Sequence, residues 1–275
     1  EENKATSNSF FFMDGDGKDL ITDFDFLDAD NADVADRINI MSSAVTEVIT
    51  SGNDVIISLT NEADKLTIKD AVGKDFNFDY GTNSLTAQVN TNSLDFDGRA
   101  SYYQATGKNA AITANSDLSN VNIWLNNDAN NSNNLFLGDI KYLNAAGVEG
   151  KATLVGNSND NVITASTDNT SMWGGDQGGN DVMIGGAGAD VFWYGKNNNG
   201  NDTIMQIDGN DTVNLYDITL EDISTADIGS NEIAITLKNT GNVLRVQGDI
   251  TGGAGFRLTD GTTYTVDSNR NWVQK

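Results

Sequence analysis

The chain has 275 residues, 40 acidic against 16 basic side chains, a net charge of −24, and no His, Cys or Pro. Without imidazole or thiolate, zinc, copper and iron–sulfur centres are excluded, as are Ser-His-Asp and Cys-His catalysis. The charge argues against nucleic acid or an anionic membrane as partner, and no apolar run approaches the roughly 20 residues of a spanning helix.

Acidic composition often accompanies disorder. Here 38% of residues are hydrophobic and the 4 Trp, 7 Tyr and 11 Phe fall in patterned segments, so a folded domain is expected. Without cysteine, an extracellular chain needs some staple other than disulfides. Residues 1–9 (EENKATSNS) do not read as a signal peptide, so any export address is expected to have been removed or to lie outside these residues.

In chain order, an acidic Gly-rich turn (Asp14-Gly15-Asp16-Gly17) leads into Lys18-Asp19-Leu20-Ile21, and a short helix is possible over Asp30 to Ala35. Strands follow at Val55 to Leu59 and Leu66 to Ile68. Asp95-Phe96-Asp97-Gly98-Arg99 reads as a solvated turn, in preference to a resemblance of Asp95, Asp97 and Arg99 to the acid and base groups of a calcium-dependent polysaccharide lyase. Further strands come at short intervals: 109–113, Val121 to Leu125, Ile140 to Ala145 and Ala152 to Val155. Residues 156–164 (GNSNDNVIT) then form an incomplete Gly/Asp repeat with Asn161 at its acidic position.

The most specific signal lies in 174–204. Residues 185–193 (GGAGADVFW) match G-G-x-G-x-D-x-U-x at every position, U being a large apolar side chain. Glycines permit positive-φ turns, the aspartate directs a carboxylate into the turn, and the next three residues make a short strand burying only U, here Phe192. Two such turns stacked in space would offer a cage of carbonyl and carboxylate oxygens, the ligands calcium prefers. The alternative for each Asp is capping of an Asx turn with no ion. Trp193 alternates to the opposite face from Phe192 and, with Trp173, Tyr194, Tyr102, Tyr103 and Trp124, raises the question of a carbohydrate platform.

The two ends of the chain are alike. Gly17 to Ile21 corresponds to Gly200 to Ile204, Asp36 to Ile40 to Asp211 to Leu215, Asn53 to Leu59 to Asn231 to Leu237, and Leu66 to Ile68 to Leu244 to Val246. Three regions are therefore expected: a β module at 1–88, a central β-solenoid at 89–204, and a β module at 205–275 repeating the first. A β-sandwich has the same strand rhythm, but short apolar clusters and few hairpin dipeptides favour the solenoid. A short helix is also possible over Leu220 to Ala226.

Residues 156–204 resemble the RTX proteins, secreted bacterial proteins whose glycine- and aspartate-rich nonapeptides wind into a calcium-loaded parallel β-roll. Phe12 to Phe24 is similar to the exit from such an array. The resemblance implies an all-β fold, a parallel β-roll or β-solenoid with calcium-binding turns flanked by two similar small β modules. It also implies type I secretion and an extracellular or cell-surface location. Only one nonapeptide is complete, since the turns before and after it carry extra residues, so a short roll with few ions is expected.

In a β-roll two nonapeptides complete one coil. The turns at 156–161, 174–181 and 195–202 would then stack on one edge, and those at 165–170, 185–190 and 208–211 on the other. Asp181 and Asp202 are expected to share calcium on the first edge, and Asp190 to pair with Asp208 or Asp211 on the second, with carbonyls of Gly186, Gly188 and Gly200 completing the shells. Asp160 and Asp19 are further candidate ligands, Asp19 and Asp14 equally readable as parts of a solvated loop. From 156 to 211 there are eight Asp and one basic residue, Lys196, so cation binding should contribute to folding. The expected function is non-enzymatic: a calcium-stabilised structural, surface-layer or adhesive module, whose partners are calcium and, beyond it, self-association or a surface glycan or protein. The alternatives are the export and folding module of a secreted enzyme, and a polysaccharide-active solenoid.

Overall fold

The computed structural model of the chain describes residues 7–28, 34–41, 45–61, 63–80, 83–97, 99–125, 135–175, 178–197 and 200–275. It is nearly all β: 27 strands and a single 3-10 turn among the described residues, arranged in parallel-rich mixed sheets. The chain divides into two compact units, residues 1–110 with 133–139, and residues 111–132 with 140–275.

In the second unit successive strands alternate between two sheets. Ile140–Asn144, Val162–Thr164, Val182–Ile184, Thr203–Ile207 and Val243–Gly248 pair in parallel in one. Asn120–Trp124, Lys151–Val155, Thr170–Trp173, Val191–Gly195, Thr212–Tyr216 and Gly255–Arg257 pair in parallel in the other. The strand period of two selects what points inward. In register, Leu143, Ile163, Met183, Ile204 and Val246 form one internal stack. Leu154, Met172, Phe192, Val213 and Phe256 form the other. All ten side chains are fully buried, each contributing roughly 1.5–3 kcal/mol of transfer free energy. Phe192, at the U position, is at the centre of the second stack.

Both sheets then turn antiparallel. Val243–Gly248 pairs antiparallel with Glu232–Leu237, and that strand with Ile223–Ile228. Gly255–Arg257 continues antiparallel into Thr263–Val266 and Trp272–Gln274. The helix expected over 220–226 is one 3-10 turn, Leu220–Asp222, followed at once by strand. Asp222 explains its shortness: its carboxylate accepts from both the backbone N–H and the hydroxyl of Thr219, closing a single turn. The β-branched Ile223, Thr225 and Ile228 then favour extended backbone. The other expected helix, 30–35, falls mostly outside the described residues.

The first unit has the same strand plan. Lys18–Ile21 pairs in parallel with Lys65–Ile68, which continues antiparallel into Asp54–Leu59 and Val45–Ser51. This is the order of Thr203–Ile207, Val243–Gly248, Glu232–Leu237 and Ile223–Ile228. Likewise Ser9–Phe12, Arg37–Ile40 and Asp75–Tyr80 pair in parallel, and the last turns antiparallel into Asn83–Asn90. The sequence similarity of the two ends therefore corresponds to one topology used twice, around a first core that includes Phe12, Ile38, Ile57, Ile68 and Phe76.

Candidate metal centre

The turns that feed the strands of the second unit carry a regular ladder of side chains. On one edge the Asn161 N–H donates to Asp181 Oδ1 (2.8 Å) and the Asp181 N–H donates to Asp202 Oδ1 (3.0 Å). On the other the Thr170 N–H donates to Asp190 Oδ1 (2.8 Å) and the Asp190 N–H donates to Asp211 Oδ1 (2.9 Å). Each partner lies 20 or 21 residues further along the chain. Asp181, Asp190, Asp202 and Asp211 are each at most 2% exposed.

The same side chains also close their own turns. Asp190 Oδ2 accepts from the Gly186 N–H (2.7 Å), Asp211 Oδ2 from the Asp208 N–H (2.8 Å), and Asn161 Oδ1 from the Asn157 N–H (2.8 Å). Thr170 Oγ1 accepts from the Ser166 N–H in the corresponding way. Asp181 differs. Its Oδ2 is buried and has no hydrogen-bond partner among the described residues, and its turn is the one with two extra residues. Burying an acceptor without a partner costs about 1–3 kcal/mol.

Glycines let the turns approach. A Cβ at Gly200 would lie 1.4 Å from the Gly179 carbonyl oxygen, and one at Gly186 would lie 2.2 Å from that of Ser166. At Gly188 a Cβ would meet the backbone of Asp168 and Asn169. The carbonyls of one turn thus press against the α-carbons of the next.

Electrostatically the ladder is costly. Burial pushes the Asp181 carboxyl up to about 8, helped by the charges of Asp202 and Asp160 and opposed by the Asn161 N–H. Burial likewise raises Asp211 to about 6 against the N–H groups of Asp190 and Asp208. Asp190 is raised by burial too, opposed by the Gly186 and Thr170 N–H groups. None of these three has an ion pair among the described residues. Lys196, the one basic residue between 156 and 211, is bonded instead to Asp222 (2.7 Å).

The remaining candidates are less buried than these carboxylates, although Asp208 bonds Asp211 through its N–H and the charge of Asp160 reaches Asp181. Asp208 is half-buried at the head of its turn, and its Oδ1 accepts from the Asn210 N–H. Asp160 is exposed and accepts from the Asn180 N–H. Asp19 is exposed on Lys18–Ile21 in the first unit. There the counterpart of Asp211 is Asp36, fully buried, accepting from the N–H groups of Asn8 and Asp25. Asp97 binds Arg99 as an ion pair and accepts from its N–H, as a turn does.

A second, solvent-facing ladder lies one residue before the first; of its members only Asp160 is among the candidates expected from sequence, and Asn180 and Asn201 are not. Asn180 donates to Asp160, Asn201 donates to Asn180, and Val243 donates to Asn201, each through its backbone N–H. The repeated dipeptides Asp160-Asn161, Asn180-Asp181 and Asn201-Asp202 are its signal.

Among the described residues no three acidic side chains converge as a metal cluster. Each strand of an edge contributes at most one carboxylate at this position, Asn161 and Thr170 contributing none, so a calcium ion with its 6–8 oxygen ligands would draw most of them from turn carbonyls and water. Each carboxylate oxygen has two lone pairs, so even the hydrogen-bonded ones keep acceptor capacity. Among the described residues, the unpartnered Asp181 Oδ2 and the lack of an ion pair at Asp181, Asp190 and Asp211 suit the group. No protein-family model matches the chain, and no curated protein matches it.

Proposed function

We propose that this chain is a calcium-stabilised, non-enzymatic β-solenoid module of a secreted bacterial surface protein of the RTX type, with a structural or adhesive role. The observation that carries the reading is the pair of ladders, Asn161–Asp181–Asp202 and Thr170–Asp190–Asp211, which set buried carboxylates one above another along two edges. Asp181, Asp190, Asp202 and Asp211 would hold the ions, with the turns at Gly186, Gly188 and Gly200 supplying carbonyls. A bound divalent cation would supply positive charge to Asp181, Asp190 and Asp211, which have no ion pair among the described residues. Because the turns form only in the folded chain, binding adds to folding free energy, by about 2.7 kcal/mol for one site at a hundred times its Kd.

Far-ultraviolet circular dichroism and thermal melting in chelator, then in millimolar calcium, test the reading. Calcium is expected to raise the melting temperature and the β signal. Identical spectra and melting curves in the two conditions would refute it.

A further inference from the structure

The outward face of the sheet containing Val191–Gly195 holds a cleft of about 420 Å3. Trp124, Trp173, Trp193 and Tyr216 line it, beside the hydroxyls of Thr153 and Ser171. The register explains the grouping. Trp124 pairs with Val155, Val155 with Trp173, and Trp173 with Trp193, so three of four successive rungs place an indole at one outward position. Their sequence neighbours Ile123, Met172 and Phe192 are buried on the other side. Gly195, opposite Tyr216, has no side chain to fill the space.

Two of the three indoles are held by their edges, while Trp173 Nε1 is buried with no hydrogen-bond partner among the described residues. Trp193 Nε1–H donates to Ser171 Oγ (2.9 Å), and Trp124 Nε1–H donates to Asn122 Oδ1 (2.5 Å). Trp193 nevertheless stays 37% exposed and Tyr216 58% exposed. Rigid aromatic surface left in water, with polar groups beside it, marks a binding site rather than a stray core residue. The lining also has a definite charge character. In a chain of 40 acidic residues, Asn120–Trp124, Lys151–Val155, Thr170–Trp173, Val191–Gly195 and Thr212–Tyr216 contain no Asp or Glu. A carboxylated or phosphorylated ligand would find no cation among the cleft's lining residues and a net charge of −24 around it.

We propose that this cleft binds a neutral polysaccharide, the C–H faces of its sugars stacking on Trp193 and the neighbouring aromatics and its hydroxyls bonding Ser171 and Thr153. Strands lie about 4.8 Å apart, close to the advance per sugar of an extended β-linked hexose chain, so successive rungs meet successive sugars. The proposal rests on the surface-module reading only for its setting, and it gives the adhesive role a ligand class.

The test uses the full chain and two variants, with cellohexaose as neutral probe and an oligogalacturonate as acidic one, read by tryptophan fluorescence and calorimetry in calcium. Trp193→Ala removes a platform. Gly195→Leu fills the cleft while keeping every aromatic, and a Cβ there meets only Tyr216 at an ordinary 3.8 Å. The parent chain is expected to bind cellohexaose, both variants to lose at least tenfold in affinity with unchanged circular dichroism, and the acidic oligomer not to bind. Absence of cellohexaose binding, parent-level binding by either variant, preference for the acidic probe, or a patch whose substitution changes only self-association would each overturn it. A chain that melts identically in chelator and calcium yet binds cellohexaose through Trp193 would refute the calcium reading and leave this one standing.

Discussion

The Asp181 N–H donates to Asp202 Oδ1 at 3.0 Å, although the two residues stand 21 apart in sequence. Each heads a strand, Val182–Ile184 or Thr203–Ile207, and the two strands pair directly. The carboxylate of one turn therefore fixes the backbone of its neighbour.

Removing such a carboxylate should cost more than losing a surface charge. Asp211→Ala strips the acceptor from the N–H groups of both Asp190 and Asp208. A loss of about 1–3 kcal/mol per buried donor is expected in urea unfolding. Asp160→Ala, on the exposed ladder, should cost under about 1 kcal/mol.

The pH dependence of the calcium-free chain follows from Asp181 and Asp211, whose folded carboxyls sit at about 8 and about 6 against an ordinary 3.8. The folded state binds these protons more tightly than the unfolded chain does. Their stabilisation is complete below about pH 4 and is lost as pH rises through 6 and then 8. Thermal melting in chelator should fall from pH 5 to pH 8. Calcium, favouring the ionised forms, should flatten that slope and release protons on binding.

Asp181→Asn separates capping from ligation. The amide can keep an acceptor for the Asn161 N–H while removing the buried charge. In chelator at pH 8 the variant should melt above the parent chain, and its calcium-induced shift should shrink. A shift as large as the parent's would exclude Asp181 as a ligand.

Packing gives two contrasts. Gly200→Ala places a Cβ 1.4 Å from the Gly179 carbonyl oxygen, and about 3 kcal/mol of destabilisation is expected from the forced backbone shift. Phe192→Ala should cost about 3–5 kcal/mol as a buried large-to-small change, and Trp193→Ala, next in sequence but facing outward, about 1 kcal/mol or less. Chemical denaturation of the three variants checks the order.

The sequence marks the residues that meet better than it marks what they do. Asn161, Asp181 and Asp202 could be grouped once the resemblance to a β-roll, in which two repeats complete one coil, was applied to the spacing of their turns. The similarity of Asp36 to Ile40 with Asp211 to Leu215 likewise corresponds to a shared buried cap. The direction of backbone N–H groups is invisible in sequence, so the binding of Asp190 to Thr170 and Gly186 could not be read there. Nor could composition tell Asp160 from Asp181, since exposure depends on which side of the turn each residue takes. Leu220 to Ala226 misled because its acidic, helix-compatible start is closed after one turn by Asp222.

Each rung of the two parallel ladders is bonded to the rung before and the rung after it, and each adds one apolar side chain to an internal stack. Cohesion in such an array is a nearest-neighbour property, like that of a row of stacked coins. Damage at one rung would be felt by the next rung and little beyond it. Pulled from its ends, the second unit should yield in many small steps rather than one large rupture.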